Sequence, residues 1–380
     1  MKLLHISTFL QGGAGKMIVN LAKDTKARGD SVWIACTKMP VNGYCNYEAH
    51  LNELKKLDIP VAFLRSTFDR SHENLFNSAE ELLQLMKKFK TEIVHSHSAN
   101  PSLIALIAKG RGRSRIPILQ TMHGWGIYKN KQQEQKDIST MELLDKVISI
   151  SKSSECLLRS KGLENQNLRT IYNGLETLKH NSCNLNDHHM VAIRNLKQSG
   201  VWVSGVIGTV DERKNQRLLI EAAREIPSHL KVHFFIVGEG EETVMLKELC
   251  IKYELMDRFT FTGYKENGHE LTHFFDLLIS TSRSEGGPPL SVIEAFAEKT
   301  LVLASDVPEH REAINDGKSG FLFKNNDPKD LAEKIQMAVI CPRKNEMRQE
   351  AFHFFSENFR LKRTCESYNQ VYRNLLLDKK

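Results

Sequence analysis

The sequence has no apolar run near the roughly 20 residues that a membrane span needs. Its longest candidates, such as 232–238, have the length of a strand. The first residues, MKLLHISTF, turn polar before they complete the apolar stretch of about 7 to 15 residues found in signal peptides. We therefore expect a first strand there, no secretion signal and no crossing of a bilayer.

Cysteine is scarce and scattered: there are seven, an odd number, with no C-x-x-C pair. This pattern excludes a disulfide scaffold and favours reduced thiols in a cytoplasmic protein. The content of 41% hydrophobic, 26% charged and 8% aromatic residues is ordinary globular usage. It excludes a disordered or collagen-like chain.

The net positive charge is confined to the front half. Residues 1–173 carry 25 Lys and Arg against 16 Asp and Glu, a net charge of +9, whereas the remainder carries 28 against 30, or −2. The basic clusters at 109–115 and 86–90 lack the interleaved aromatic residues that stack on bases, so we expect no nucleic-acid partner. Each cluster alone is typical of a solvated surface. For the half as a whole, an anionic acceptor or peripheral contact with an anionic membrane at its inner face is the alternative.

A length of 380 residues predicts two domains, because one hydrophobic core rarely grows to that size. In residues 1–173, strand-sized apolar runs alternate with amphipathic stretches, which is typical of a parallel sheet covered on both faces. Strands are predicted at 2–7, 31–36, 61–64, 93–95, 118–121, 147–150 and 169–172, and helices at about 15–28, 78–89, 101–109 and 152–160.

The alternation stops at 174–200, a polar stretch rich in Asn and His that is predicted to be a linker. It resumes over 201–342, with strands predicted at 202–208, 232–237, 259–262, 277–280, 301–304 and 320–323 and helices at about 215–224, 241–253, 290–298, 309–315 and 327–339. Residues 343–380 are predicted to be helical, at about 345–376. The predicted fold class is α/β, with two doubly wound Rossmann-like domains whose strand ends line a ligand-binding cleft.

A glycine turn, Gly12-Gly13-Ala14-Gly15-Lys16, follows the first strand and opens a helix. It fails the nucleotide-triphosphatase pattern G-x4-G-K-[ST], because Leu10 and Met17 stand where Gly and Ser or Thr are required. Backbone N–H groups at Gly12 and Gly13 are candidates for binding an anion or a sugar. A plain tight turn is an equally good interpretation.

Three histidines follow predicted strands of the first half. His123 precedes Gly124 at a strand end and is a candidate hydrogen-bond donor to a sugar hydroxyl or a phosphate. For His95 and His97 a structural role is favoured. No third ligand of suitable spacing accompanies them and the chain has no D-x-D pair, so we expect no metal site.

Two candidate segments lie in the second half. Arg213 and Lys214 occupy the turn between a strand and a helix, where two cations would clamp a pyrophosphate, although a solvated basic turn is an equal alternative. After the strand 277–280, a Gly- and Pro-rich loop leads into a helix whose first N–H groups are free to bind. The candidate donor-binding residues of this segment are Gly286, Gly287, Pro289, Leu290 and Ser291.

Glu285 and Glu294 flank this loop, and their carboxylates suit sugar hydroxyls and a ribose diol. A solvent-facing helix acid is the alternative for Glu294.

Taken together, these motifs resemble family 4 of the retaining glycosyltransferases, whose GT-B fold pairs two facing Rossmann-like domains. The matching segments, in the family's order, are the GG loop at 12–13, EIVHSHS, TMHG, TIYNGLE, the lysine turn, IVGEGEE, FTFTGY, SEGGPPLSVIEAFA and DGKSGFLF. The resemblance also implies that the last helix returns to the first domain.

The resemblance assigns roles to single residues. His123 would touch the donor sugar or phosphate, and Lys214 would hold the pyrophosphate. Glu285 would meet the hydroxyls of the transferred sugar and Glu294 the nucleotide ribose. The amides of Leu290 and Ser291 would cap the distal phosphate.

Two departures from the family pattern bear on activity. Eight residues separate Glu285 from Glu294 where the family usually has seven. Thr209 stands where the family commonly has the arginine of a Gly-Arg pair, and Arg213 is a candidate substitute. These departures motivate an alternative, a catalytically inactive nucleotide-sugar-binding subunit of a glycosylation complex. An epimerase is a weaker third hypothesis, because no convincing set of acid and base groups supports it.

The resemblance thus implies a retaining, metal-independent glycosyltransferase without a cofactor. Its co-substrate would be a nucleotide sugar, most often a UDP-hexose or UDP-N-acetylhexosamine in this family. Its acceptor would be a polysaccharide, a lipid carrier or a small aglycone.

Overall fold

The computed structural model describes residues 1–8, 10–38, 46–126, 129–164, 166–176 and 187–378. The chain divides into two compact units, one of residues 1–173 with the segment from Lys362 onward, and one of residues 174–361.

The described part of the first unit contains a sheet of seven parallel strands in the order β3-β2-β1-β4-β5-β6-β7. The strands are β1 (Lys2–Ile6), β2 (Ser31–Thr37), β3 (Val61–Leu64), β4 (Ile93–Ser96), β5 (Ile118–Met122), β6 (Lys146–Ser149) and β7 (Leu168–Thr170). The helices are α1 (Gly12–Ala27), α2 (Tyr47–Lys56), α3 (His72–Phe89), α4 (Ala99–Arg111), α5 (Lys131–Glu142) and α6 (Lys152–Ser160).

The second unit contains a parallel sheet of six strands in its described residues, in the order β10-β9-β8-β11-β12-β13. They are β8 (Trp202–Ile207), β9 (Val232–Val237), β10 (Phe259–Gly263), β11 (Leu277–Ser280), β12 (Leu301–Ser305) and β13 (Phe321–Phe323). The helices are α7 (His188–Gln198), α8 (Arg217–Ala223), α9 (Thr243–Lys252), α10 (Leu290–Ala297), α11 (Pro308–Arg311), α12 (Pro328–Ile340) and α13 (Lys344–Asn358), followed by α14 (Leu361–Leu377), most of which belongs to the first unit.

Burial explains why these segments form strands and helices. All residues of β4, β5, β11 and β12 are buried, as expected for parallel strands covered on both faces. Helix α3 is amphipathic, with one face buried. Ser71 caps its N-terminus by accepting a hydrogen bond from the Asn74 N–H. The predicted α/β fold class with Rossmann-like parallel sheets is confirmed.

Two helices were missed, and one predicted helix is shorter than expected. Helices α2 and α5 were not predicted, and the predicted helix at 309–315 is only the four-residue α11. The C-terminal segment predicted to be helical consists of two helices, α13 and α14, separated where Arg360 forms a parallel bridge with Leu175. Leu175 donates its N–H to the Phe359 carbonyl (2.8 Å) and accepts from the Leu361 N–H (2.9 Å), so a continuous helix cannot pass through this point.

The unit boundaries also differ from those predicted. Helix α7 lies within the proposed linker 174–200 and belongs to the second unit, and residues 177–186 of that linker lie outside the described residues. Helix α13 also belongs to the second unit and contacts α10 there, so only the segment from Lys362 returns to the first. No helix among the described residues is both long and apolar enough to cross a membrane.

The strand order locates the candidate sites. In the first sheet β1 lies between β2 and β4, and in the second β8 lies between β9 and β11. At such a switch point the connections after the two central strands run to opposite sides and leave a crevice at the carboxyl ends, where doubly wound sheets bind ligands. The loops after β1, β4, β8 and β11 carry most of the candidate residues.

Candidate functional site

Arg213 and Lys214 lie in the turn between β8 and α8, which begins at Arg217, two residues later than predicted. The Asp211 carboxylate accepts a hydrogen bond from the Lys214 N–H (2.8 Å), and Asn215 has a left-handed φ of 52°. The turn thus holds the cations at the carboxyl end of a central strand.

Glu285 binds both cations at once. Its Oε1 lies 2.5 Å from Nζ of Lys214, and its Oε2 lies 2.8 Å from a terminal guanidinium nitrogen of Arg213. The Glu285 side chain is only 8% exposed. Burial alone would raise the pKa of this carboxyl, but the charges of Lys214 and then Arg213 outweigh it and hold the pKa at about 2. The three groups carry a net charge of +1 at neutral pH.

Backbone contacts tie the cation turn to the loop that follows β11. The Arg283 N–H donates to the Arg213 carbonyl (2.9 Å), and the Thr281 hydroxyl donates to the Lys214 carbonyl (2.8 Å). An exposed ion pair between Arg283 and Glu212 (2.9 Å) joins the same two segments. The geometry of the cluster is therefore set by main chain and does not depend on two flexible side chains alone.

The residues directly after β8 also pack against those directly after β9. Gly208 and Gly238 have φ values of 152° and 141°. A Cβ atom on Gly238 would stand 1.9 Å from the Gly208 carbonyl oxygen, and one on Gly240 would stand 2.2 Å from the Val210 carbonyl oxygen. Only glycine permits these close approaches.

The loop from Gly286 to Pro289 leads into α10. Gly287 and Pro289 are buried, whereas Gly286, Leu290 and Ser291 are half-buried. Pro289 is the N-terminal cap residue and supplies no side-chain hydrogen bond to the first N–H groups of α10. The Leu290 and Ser291 amides therefore open the helix without a side-chain cap.

Glu294 lies one turn into α10 and is 7% exposed. The alternative of a solvent-facing helix acid is therefore wrong for this residue. A buried carboxylate needs polar partners, and this requirement is consistent with a position in a ligand-binding site.

The glycine turn of the first unit begins α1. Gly12 has a left-handed φ of 60°, and its N–H donates to the Asn46 side chain (2.9 Å). Gly13 is exposed. A side chain on Gly15 would stand 2.7 Å from the Leu10 carbonyl carbon, so part of this glycine pattern serves packing. The N–H of Gly12 is already engaged, which leaves Gly13 as the better candidate for a ligand.

His123 directly follows β5 and belongs to a chain of three imidazoles. Its Nε2 lies 3.1 Å from Nδ1 of His97, and Nε2 of His97 lies 2.8 Å from Nδ1 of His5. His95 belongs to a separate network, because its two nitrogens bond the hydroxyls of Tyr372 and Thr121, each at 2.8 Å. Tyr372 lies on α14, so the returning helix covers this face of the sheet.

Burial lowers the pKa of each histidine in this group. The pKa of His5 falls to about 3 and that of His123 to about 4, while those of His95 and His97 fall well below the ordinary value. All four rings are therefore neutral at pH 7, and each carries one N–H and one lone pair.

Comparison with known families identifies the chain. Residues 11–178 match the family described as Glycosyltransferase Family 4, and residues 193–353 match Glycosyl transferases group 1. The two matches together cover most of the chain and both of its units. The chain is a family 4 glycosyltransferase of the GT-B type.

Individual relatives of this glycosyltransferase match it over most of both chains. It is 24% identical over 311 residues to the O-antigen biosynthesis glycosyltransferase WclY of Escherichia coli, covering 78% of this chain and 82% of WclY. It is 21% identical over 313 residues to UDP-Gal:alpha-D-GlcNAc-diphosphoundecaprenol alpha-1,3-galactosyltransferase of E. coli, covering 78% and 79%. The crystal structure of Anabaena HepE in complex with UDP has a TM-score of 0.82 at 18% identity and covers 98% of this chain and 100% of that one.

Two residues of the glycosyltransferase were missed by the sequence analysis. His310 is fully buried and bonds Ser280 Oγ and Ser305 Oγ, each at 3.1 Å. Burial raises the pKa of the neighbouring Glu309 carboxyl, and the charge of Glu285 adds to the rise. Both lie in α11, shortly after β12, within the segment VPEH, whose ionisable side chains could have been recognised in the sequence.

Two groups of possible metal ligands occur among the described residues of the glycosyltransferase. His5, His95 and His97 have ligand atoms within 4.8 Å of one another, as do Asp187, His188 and His189. The prediction that His95 and His97 lack a third ligand was therefore wrong, because His5 lies on β1, the neighbouring strand. The rings of His95 and His97 already use their nitrogens in hydrogen bonds within the protein.

Proposed function

We propose that this glycosyltransferase moves a hexose or N-acetylhexosamine from a UDP-sugar to a hydroxyl acceptor, with retention of configuration and without a metal ion. The observation that carries the proposal is the cluster of Lys214, Arg213 and Glu285 at the switch point of the second sheet. Departure of a nucleoside diphosphate leaves negative charge on its phosphate, and fixed cations stabilise that charge as it develops.

The second unit offers the remaining parts of a donor site. The first N–H groups of α10, at Leu290 and Ser291, would bind the distal phosphate. Buried Glu294 would accept from the ribose hydroxyls, and Glu285 from hydroxyls of the transferred sugar. We propose that His123 of the first unit contacts that sugar or its phosphate. No carboxylate was assigned as a covalent nucleophile, so we favour front-face attack in which the leaving phosphate accepts the acceptor's proton.

UDP is the proposed nucleotide because two similar proteins are named for it. HepE is described in complex with UDP, and the E. coli galactosyltransferase is named for UDP-Gal and a diphosphoundecaprenol acceptor. A polysaccharide, lipid carrier or small aglycone fits the proposal. The net charge of +9 in residues 1–173 favours an anionic acceptor or membrane surface. Sedimentation with anionic vesicles would show salt-sensitive binding if the membrane is involved, and no binding if it is not.

Screening nucleotide sugars by thermal shift identifies the donor, since selective binding raises apparent stability. UDP release is then measured with and without candidate acceptors. We expect Lys214→Ala to abolish the release and Lys265→Ala to leave it unchanged. Lys265 is a matched control: it forms an ion pair with Asp187 at 2.7 Å and is 19% exposed, against 16% for Lys214. Equal activity in both variants would overturn the proposal.

A second candidate is an inactive nucleotide-sugar-binding subunit. It is favoured by Thr209, which stands where the family commonly has an arginine, and by the full pairing of both cations with Glu285. If the protein is such a subunit, the thermal-shift screen should show selective donor binding, and no UDP should be released with any acceptor.

A further inference from the structure

The chain of imidazoles from His123 into the first sheet ends in two nitrogens without partners. Among the described residues, Nδ1 of His123 and Nε2 of His5 are buried side-chain atoms that make no hydrogen bond. Every nitrogen between them is paired: His123 Nε2 with His97 Nδ1, and His97 Nε2 with His5 Nδ1. The chain therefore has two open ends, and the tautomers set the direction of its hydrogen bonds.

The strand register creates this chain. His5 of β1 stands beside His95 of β4, so their side chains share one face of the sheet, and His97 follows two residues later on the same face. The ring centroids of His5 and His97 are 5.1 Å apart, and those of His97 and His123 are 5.3 Å apart with the rings stacked. The three rings are thus packed in fixed positions.

Neutral imidazoles in such a chain cannot choose their tautomers independently. Each hydrogen bond needs one N–H and one lone pair, and each neutral ring has only one of each. If His123 carries its proton on Nδ1, its Nε2 must accept from Nδ1–H of His97, whose Nε2 must accept from Nδ1–H of His5. If His123 carries its proton on Nε2, all three rings carry theirs on Nε2. Only these two states keep both hydrogen bonds.

Burial favours one of the two states. In the Nε2–H state the unpartnered donor is on His5, a residue with 0% exposure, and a buried N–H without a partner is rare and costly. In the Nδ1–H state the unpartnered donor is Nδ1 of His123, which is also a buried atom, but it belongs to a half-buried residue directly after β5, at the carboxyl edge where doubly wound sheets bind ligands. A ligand oxygen can then satisfy it.

We propose that His5 and His97 are positioning residues that fix His123 in its Nδ1–H form, so that His123 donates a hydrogen bond to an oxygen of the sugar or phosphate. The chemical class of ligand at this point is therefore a hydrogen-bond acceptor. The contact with substrate rests on the proposed function, whereas the shared tautomer does not.

Long-range ¹H–¹⁵N correlation spectra of ¹⁵N-histidine protein test the tautomers directly, because a protonated ring nitrogen and a bare one have well-separated shifts. We expect His5, His97 and His123 all to carry the proton on Nδ1. A mixed set or a shared Nε2–H form would overturn the proposal. So would one bound zinc per chain in the purified protein, since a metal on the lone pairs of His5 and His97 would replace the hydrogen bonds.

Two isosteric variants test the transmission. His5→Asn keeps an amide near the Nδ1 position that donates to His97, whereas His5→Leu has the same shape and no donor. We expect His5→Leu to shift the ring resonances of His123, which His5 does not contact by a hydrogen bond, and to lower kcat/KM about tenfold, the loss of one hydrogen bond. His5→Asn should restore both, and His233→Gln in the second unit should change neither.

The two hypotheses fail separately. Unchanged His123 resonances in a folded His5→Leu protein would overturn the positioning role, whatever the activity. A wild-type protein that turns over no nucleotide sugar would overturn the proposed function while the tautomers remain measurable. Should His5→Leu not fold, the tautomers of His5, His97 and His123 in the wild-type protein still decide the proposal.

Discussion

Nζ of Lys214 lies 2.5 Å from Oε1 of Glu285, the residue that the family resemblance assigns to the hydroxyls of the transferred sugar. The family resemblance implies that the cations and the carboxylate serve different parts of the donor. The structure brings them into one cluster in which Arg213 takes the second carboxylate oxygen. A phosphate that enters therefore competes with Glu285 for both cations, and the three groups Lys214, Arg213 and Glu285 together carry a net charge of +1 instead of the +2 of the two cations alone.

We expect Glu285→Gln to bind UDP more tightly and to transfer sugar more slowly. Removal of the carboxylate raises the net charge of the cluster from +1 to +2, and an extra unit of attraction at this range is worth about 1 kcal/mol, or roughly fivefold in Kd. Titration calorimetry with UDP and steady-state kinetics measure the two effects.

Glu212→Gln is the matched control for that change. It removes one negative charge from the turn that carries Arg213 and Lys214, but Glu212 is 57% exposed and pairs with Arg283. We expect less than a twofold change in the Kd of UDP. Weaker UDP binding in Glu285→Gln would show that the carboxylate mainly orders the two cations.

The stability of the first unit should fall as the pH falls from about 6.5 to 4. The folded-state pKa values of His5 and His123 are lowered to about 3 and 4, so in this window the unfolded chain binds protons that the folded unit does not. Each such group lowers the free energy of unfolding by about 1.4 kcal/mol per pH unit. Above pH 6.5 both states are neutral and the effect vanishes.

Hydrogen exchange of the β4 and β5 amides, followed against pH, measures this slope. His5→Asn should make the slope shallower by about one proton, or about 1.4 kcal/mol per pH unit. His233→Asn in the second unit should leave the exchange of these amides unchanged. An identical slope in His5→Asn would mean that His5 is protonated in the folded protein.

Gly238→Ala should destabilise the second unit severely, by about 4 kcal/mol or more, because its Cβ would stand 1.9 Å from the carbonyl oxygen of Gly208. Gly200→Ala separates this clash from backbone strain. Gly200 has a φ of 74° and nothing within 4 Å of the added Cβ, so only the cost of a left-handed residue, about 1 to 2 kcal/mol, is expected. Urea denaturation gives both values, and similar losses would contradict the predicted clash.

The strands were predictable because parallel strands buried on both faces form short continuous apolar runs. Strands β5 and β12 are buried at every residue and stand out in the sequence. Helix α5 was missed because its twelve residues KQQEQKDISTME offer few apolar positions. It carries a signal that could have been used, the capping box of Asn130 and Gln133.

The site was only partly predictable, because its contacts are set by strand order. Lys214 and Glu285 are 71 residues apart, and they meet because β8 and β11 are neighbours in the sheet. His5 and His97 are 92 residues apart and meet through β1 and β4. The break between α13 and α14 likewise depends on pairing with Leu175, which no local pattern near Arg360 reveals.

Removal of metal ions should leave the transferase active. Two protein cations, Lys214 and Arg213, would meet the diphosphate, and the Glu285 carboxylate at that point is already held by both of them at 2.5 and 2.8 Å. A divalent ion would have to displace these pairs before it could reach phosphate and carboxylate together. We expect UDP release after treatment with EDTA to stay within about twofold of the untreated rate, with no further gain from added Mg²⁺ or Mn²⁺. Activity that is lost with the chelator and restored by Mn²⁺ would show that a metal ion, and not this cluster, neutralises the leaving group.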